Sequence, residues 1–417
     1  MHHSEVVQKA QGARAAAKVL ATVSSADKNR ALHYIAEALE KEAESIIAAN
    51  AIDLENLKKK ESYTKAFYDR LLLNRERIAG MAAGLRDIAA LEDPVGEVTG
   101  MWYRSGLQIG QVRVPIGVIG IIYEARPNVT VDAAGLTLKS GNAVILRGSS
   151  EAINSNKALV AIIQNQLVRA GLPRESVTLI EDTSRVAAQE LMRLNQYVDL
   201  LIPRGGPSLI NTVIENATVP VIQTGAGNCH TYIDAGADVE MAVKIAVNAK
   251  VQRPGVCNAM ETLLVHADIA DAFLPAVIPA LRKEGVEIRG CERTRRYSPE
   301  VVPAQEEDWE TEYLDLILAV KVVDSLDEAI EHINRYSTQH SEAIVTENYH
   351  RAREFLNRVD SAAVYVNAST RFTDGGEFGL GAEMGISTQK LHVRGPMGLK
   401  ALTSLKYIIY GAGQVRQ

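Results

Sequence analysis

Residues 251–265 read VQRPGVCNAMETLLV, placing Cys257 on a segment broken by Pro254 and Gly255. A thiolate is a strong nucleophile, and nearby cations favour it over the thiol. Arg253 lies four residues before the cysteine and Lys250 seven before. Functional side chains favour loops carried on rigid elements, which suits a cysteine on a Pro/Gly bend. The competing reading of an isolated cysteine is a small apolar filler. That reading also fits Cys229, which enters an apolar run in GNCHTYID, while Cys291 falls in a charged stretch and is read as incidental. A second group stands in IIYEARPNVTVD, where an apolar run ends in Glu124, Arg126 and Asn128 around Pro127. The Asn128 amide could donate to an oxyanion, or simply serve a turn after proline.

Two loops have the composition to hold a phosphate. LRGSSEA puts Arg147 and Gly148 after a strand-like run and Ser149 and Ser150 at a helix start; IPRGGPSL repeats the arrangement with Arg204, Gly205 and Gly206. Free N–H groups at helix starts attract anions. Arg147 suits a 2′-phosphate on an adenosine ribose, and the two glycines allow close backbone approach. Neither loop is a GxGxxG or GxxxxGK[ST] motif, so each alone equally fits an ordinary capped turn. Two on one sheet edge point to a nucleotide. Residues 366–399, rich in Gly, Ser and Thr, add Arg371, Lys390, His392 and Arg394. A segment of that length without regular structure is usually functional or disordered, and its apolar residues argue against disorder. With Arg126 and Arg253 these cations could bind phosphate or carboxylate, or merely solvate a surface.

The elements that must carry these residues alternate. Apolar runs at LQIGQVRVPIGVIGIIYE, GNAVILRG, SVTLIED, YVDLLIPRGG and VPVIQTGAG read as strands, separated by helical stretches. A second series runs from CHTYID through ETLLVH, LDLILAVKVV and SEAIVT to AAVYVNA. Strands alternating with helices predict parallel sheets covered on both faces, with ligands outside the carboxyl ends of the strands. The stretch SSADKNRALHYIAEALEKEAESIIAANAIDLENLKKKE predicts one long helix capped by Ser24 or Ser25. CERTRRYSPEVVPAQEEDWETEY predicts a polar surface excursion, and the final KYIIY run a strand that is a liability unless it pairs, for instance with another subunit.

At roughly 150 residues per domain, 417 residues make two or three domains. A net charge of −6 and a pI near 5.9 give no basic face for nucleic acid. No run reaches the roughly 20 apolar residues of a membrane span, and the N-terminus lacks a hydrophobic signal core, so a cytoplasmic protein is expected. Three cysteines without a CxxC pair predict neither a metal site nor a disulfide framework.

Taken together, IYEARPNVTVD, SGNAVILRG, LIPRGG, QRPGVCN, TQHSEAI, YVNASTRFTDGGEFGLGAE and KLHVRGPMGL resemble the gamma-glutamyl phosphate reductase family, the glutamate-5-semialdehyde dehydrogenases of proline biosynthesis. That family lies within the aldehyde dehydrogenase-like superfamily, and the resemblance spans essentially the whole chain. It implies an α/β fold of two α/β domains with parallel-rich sheets plus a small oligomerisation element. The implied boundaries are 1–228 for a cofactor-binding domain, with strands near 98–114 set aside for oligomerisation, and 229–366 for a catalytic domain carrying Cys257. Residues 367–417 then return to the first domain and end in an oligomerisation strand. The implied reaction is NADPH-dependent reduction of L-glutamyl 5-phosphate to L-glutamate 5-semialdehyde and phosphate.

Carried over residue by residue, Cys257 is the nucleophile and Asn128 matches the oxyanion-hole asparagine. Arg147 falls where many relatives have a lysine that contacts the adenosine ribose, with Gly148 and Ser149 beside it. Gly205 and Gly206 match the pyrophosphate-side helix start, and Glu312 in EEDWETEY resembles the glutamate that holds the nicotinamide ribose. Arg126, Arg253, Arg371, Lys390, His392 and Arg394 are the candidates for the substrate's phosphate and α-carboxylate. The resemblance further implies a homo-oligomer, dimer or tetramer, and the pathway suggests a transient contact with glutamate 5-kinase.

One departure is informative. Acid-forming aldehyde dehydrogenases carry a glutamate base in the segment matching VPVIQTGAGNCHTYI, but here no Asp or Glu occurs between Glu215 and Asp234. An acyl-phosphate enzyme needs no water-activating base there. Two rival readings remain: a hydrolytic NAD(P)-dependent aldehyde dehydrogenase, and a non-catalytic nucleotide-binding protein of the same fold. The second would be expected to lose the cysteine–asparagine pair.

Overall fold

The computed structural model describes residues 4–60 and 64–416. The chain forms two compact units, the first from residues 1–224, 379–385 and 397–417, the second from 225–378 and 386–396.

The first unit is built on a parallel sheet of four strands in the order Val177–Leu179, Ala143–Arg147, Val118–Tyr123, Leu200–Arg204. Its central strand, VIGIIY, is buried throughout. Strands covered on both faces by helices read as unbroken β-branched runs, as this one does. The strand met first in the sequence lies inside the sheet, so successive connections leave it in opposite directions. The switch point falls between Val118–Tyr123 and Leu200–Arg204, the usual place for a ligand crevice.

The expected long helix is two helices, Ser25–Lys41 and Ala43–Lys58, separated at Glu42, whose φ of −98° and ψ of 17° depart from helical values. The first helix packs on Arg75–Ala90 and also on Ile153–Arg169, the second mainly on Ile153–Arg169. Ser24 is the cap, accepting from Asp27 N–H. VPVIQTGAG does not form a strand, only isolated bridges, among them Val221 to Leu201. No helix among the described residues is long and apolar enough to cross a membrane.

A separate three-stranded antiparallel sheet completes this unit, in the order Val98–Arg104, Leu107–Pro115, Thr403–Tyr410. Ser105 and Gly106, with φ of 52° and 75°, make the two-residue turn between the first pair. Both positive φ values match the twist of a tight hairpin. The C-terminal strand is paired, along one edge, within its own chain.

The second unit holds a seven-stranded parallel sheet in the order Val302–Pro303, Glu287–Gly290, Ile317–Val323, Met260–His266, Cys229–Ile233, Ser341–Val345, Ala363–Val366. The helices Val239–Val251 and Ala267–Lys283 pack their apolar faces, including Ala246, Phe273 and Leu281, onto Leu263 and Val320 of this sheet. The stretch expected to be a polar excursion is partly internal: Thr294, Asp308 and Trp309 are buried. Val301 and Trp309 face inward, Val302 does not, and Asp308 is held inside by Arg289, which composition alone does not reveal.

Candidate active site

In the first unit the singled-out residues cluster at the carboxyl ends of the four strands. Asn128 lies in the first turn of the helix Pro127–Lys139, which starts directly beyond the central strand. It is exposed, and its Nδ2 donates to Asp132 Oδ2 at 3.2 Å. Burial pushes the Asp132 carboxyl up to about 6, although Asn128 and the Arg204 charge both pull it down. Arg126, the N-cap of this helix, is exposed.

Arg147 ends its strand half-buried, with Nη2 donating to the carbonyls of Thr183 at 2.6 Å and Ser184 at 3.0 Å. Burial lowers its pKa, opposed by Asp182 and Glu151. Gly148 is buried, and a Cβ there would meet Asn156 Nδ2 at 2.4 Å, so packing alone demands the glycine. Ser149 is the N-cap of the short turn Ser150–Ala152 that leads into Ile153–Arg169.

Gly205 and Gly206 precede the helix Pro207–Asn216 at the switch point. The Gly206 N–H donates to Glu124 Oε1 at 2.9 Å, and a Cβ on Gly205 would strike the Glu124 carboxyl at 2.7 Å. The chain's own carboxylate thus occupies the position read as a phosphate cradle. A phosphate there would have to replace it.

In the second unit Cys257 lies in a turn closed by Ala259 N–H to Val256 O at 3.0 Å, between the helix Val239–Val251 and the strand Met260–His266. It therefore sits at the amino ends of the strands, not at the carboxyl ends predicted for sheet ligands. The reason is the connection: Cys257 is in the helix-to-strand loop of a βαβ unit, which always lies at the amino side. Gly227 is packed so tightly on this turn that a Cβ would fall 1.5 Å from Cys257 O. The buried Cys229 thiol donates to the same carbonyl at 3.1 Å. Burial raises the Cys229 pKa well above the usual thiol range, so it stays a donor.

The following residue, Asn258, is stitched to the segment after Ala363–Val366. Its Nδ2 donates to Thr373 O at 2.8 Å, and Thr370 Oγ1 donates to Asn258 O at 2.7 Å. Thr373 is held in turn by Ser341 and Tyr365, each at 2.7 Å. Arg371 Nη1 donates to Asn258 Oδ1 and its Nε to Gln252 Oε1 at 2.8 Å. Burial, then the Arg253 guanidinium, lowers the Arg371 pKa, while Asp374 and the sulfurs of Cys257 and Cys229 act oppositely. Arg253 and Arg371 thus share the neighbourhood of Cys257.

The other expected cations divide differently. Lys390 and Arg394 both pair with Asp360, the latter at 2.7 Å, and His392 is exposed on the same segment. Glu312 Oε1 accepts from Gly227 N–H at 2.7 Å, and burial raises its pKa. Asn258, Thr370, Thr373 and Gly227 were not singled out by sequence reasoning, although all four lie within quoted segments, and Cys229 was read only as an apolar filler.

Comparison with known proteins agrees with this architecture. Residues 1–289 and 299–408 match the aldehyde dehydrogenase family. The chain belongs to the aldehyde dehydrogenase family. Among curated members of that family, gamma-glutamyl phosphate reductase of Moorella thermoacetica is 66% identical over 414 residues, 99% of each chain. Its counterpart from Clostridium novyi is 61% identical over 412 residues, again 99% of each. The crystal structure of gamma-glutamyl phosphate reductase from Thermotoga maritima, 54% identical, superposes with a TM-score of 0.97, covering 99% of this chain and 100% of the other. The protein is accordingly an aldehyde dehydrogenase-family oxidoreductase with the α/β fold expected from its sequence.

Proposed function

We propose that the protein reduces L-glutamyl 5-phosphate to L-glutamate 5-semialdehyde and phosphate, using NADPH and a Cys257 thioester, as the second step of proline biosynthesis from glutamate. The observation that carries this reading is the full-length identity of 60–66% to curated relatives that all bear the reductase name. The missing carboxylate between Glu215 and Asp234 supports a thioester protected from hydrolysis.

Cys257 attacks the acyl carbon, and the acyl C–O bond breaks as phosphate leaves with the electron pair and takes up one proton. The Arg253 and Arg371 guanidinium groups favour the thiolate and are the first candidates for the substrate's anionic groups. The Asn128 amide and the Cys257 N–H are assigned to the developing oxyanion; losing one such donor typically costs about 100- to 1000-fold in rate. When bound, NADPH supplies the hydride that reduces the thioester carbon. Collapse of the Cys257 thiohemiacetal then breaks the C–S bond, releasing aldehyde and regenerating the thiolate.

At the strand ends of the first unit the Arg147 donors fit such a cofactor, while the Gly206 N–H would have to exchange the Glu124 carboxylate for a phosphate. The Arg147 guanidinium is anchored by two carbonyls, and its Nε is buried without a partner among the described residues. Arg147, Gly148 and Ser149 would hold the adenosine ribose and its 2′-phosphate, Gly205 and Gly206 the pyrophosphate, and Glu312 the nicotinamide ribose. The protein is proposed to act in the cytoplasm as a homo-oligomer. Trp102, Tyr407 and Ile409 lie exposed on one face of the three-stranded sheet. Such a sheet needs a covering partner for its apolar face.

The test is NADP⁺ reduction with glutamate 5-semialdehyde, with and without phosphate. Strict phosphate dependence is expected; equal rates without phosphate would mark a hydrolytic dehydrogenase. Cys257→Ser should abolish turnover while NADPH binding survives, and near-parental turnover would exclude the thioester.

A further inference from the structure

Lys250 and Glu261 form an ion pair with both side chains fully buried, Nζ to Oε2 at 2.5 Å. Taking two charges out of water is costly, and a well-packed apolar pair would often serve stability as well or better. The pair therefore calls for a role beyond holding the fold together. Glu261 lies four residues after Cys257, at the start of the strand Met260–His266, and Lys250 lies near the end of the helix that leads into the Cys257 turn. The second Glu261 oxygen, Oε1, accepts from Leu314 N–H at 3.0 Å.

Leu314 is one of few non-glycine residues here with positive φ, 54°, and its side chain is exposed. A leucine gains nothing from that conformation by itself, so the surrounding bonds must impose it. Neighbouring contacts fix the same turn. Tyr313 OH donates to Asp308 Oδ1 at 2.8 Å, and Lys250 Nζ lies 5.9 Å from the Tyr313 ring centre. The Leu314 carbonyl approaches Gly255, two residues before the cysteine. The turn begins at Glu312, whose carboxylate rests on Gly227 N–H, and Gly227 is wedged on the Cys257 carbonyl.

We propose that Glu261, backed by Lys250, is a positioning residue that holds the 312–314 turn and thereby keeps the Glu312 carboxylate aimed for cofactor binding. Lys250 keeps Glu261 oriented with Oε1 toward Leu314, and the Leu314 N–H transmits that position to Glu312. The inference rests on the assignment of Glu312 to the nicotinamide ribose.

Two double variants isolate the hydrogen bond from the charges. Lys250→Met with Glu261→Gln removes the ion pair but keeps an oxygen for Leu314 N–H; Lys250→Met with Glu261→Leu removes both. NADPH binding is followed by fluorescence titration, and cofactor-free melting shows that the two proteins are equally folded. The glutamine double should bind NADPH within about threefold of parent, and the leucine double about tenfold or more weakly. A Glu312→Ala variant should show at least the same loss. If Glu312→Ala weakens binding but the leucine double does not, or the glutamine double is equally impaired, the positioning role is overturned and the Glu312 assignment stands. If Glu312→Ala leaves binding unchanged, that assignment falls and the inference with it. Should the leucine double not fold, Lys250→Met with Glu261→Met, closer in shape to the parent and equally without an acceptor for Leu314 N–H, decides: unchanged NADPH affinity overturns the proposal.

Discussion

Gly227→Ala is the smallest change that should disable the cysteine turn. The added Cβ would sit 1.5 Å from Cys257 O, 2.3 Å from its carbonyl carbon and 2.6 Å from its Cα. Ordinary contact begins near 3.4 Å, so the two backbones must separate by about 2 Å. No rotamer change can relieve a clash between main chains. Overpacking of this kind costs about 1–3 kcal/mol in stability. The catalytic effect should be larger, because a displacement of about 1 Å at a reacting group can cost about 100-fold in rate. We expect kcat to fall at least 100-fold and alkylation of Cys257 by iodoacetamide to change markedly, in a protein that still folds. Gly255→Ala is the internal control. It lies closer to Cys257 in sequence, but its Cβ would meet only Leu314 O at 3.6 Å, an ordinary contact. Phosphate-dependent turnover and alkylation rates of both variants decide the matter. A Gly227→Ala enzyme within threefold of parent, or equal damage in both, would refute the reasoning.

Replacing Arg147 with Gln should reduce kcat/KM for NADPH about 10- to 100-fold while sparing NADH, given about 1.5–3 kcal/mol for hydrogen bonds to charged groups; an unchanged ratio of the two cofactors would remove Arg147 from 2′-phosphate recognition. Asp132 has its pKa raised on folding, so the folded state favours its protonated form and stability is lost as pH rises from about 4 to about 6. Asp132→Asn should therefore be more stable than parent by up to about 3 kcal/mol at pH 8, with the gap closing by pH 4 in melting experiments. Changing Tyr407 and Ile409 together to Asp, on the exposed sheet, should shift the protein to a smaller species in sedimentation without altering its helical circular dichroism.

The parallel sheets were legible because strands buried on both faces leave apolar runs such as VIGIIY and the LLV of METLLVH, while the helices between them keep a 3.6-residue stripe. The break at Glu42 was not, because both halves continue the helical pattern and only tertiary packing separates them. Cys257, Arg253 and Arg371 come together as their types suggested, but the side of the sheet did not follow the general rule. That depends on which loop of the βαβ unit carries the cysteine. The Glu124 carboxylate on Gly206 could not be anticipated, since a glutamate next to a glycine-rich loop has no sequence signature. The same is true of Lys250 and Glu261, whose charges gave no hint of complete burial.

The pairing of Leu107–Pro115 with Thr403–Tyr410 sets a schedule for biosynthesis. Arg113 and Thr403, bonded across that ladder, are 290 positions apart in the chain. At about 5–20 residues per second, roughly 15–60 s pass between their emergence from the ribosome. Throughout that interval the 107–115 strand offers an open row of N–H and C=O groups to any neighbouring nascent chain. The entire second unit is synthesised meanwhile. A chain stalled or cleaved before residue 403 would keep that edge, making the arrival of Thr403–Tyr410 the point at which this polypeptide stops being a seed for aggregation.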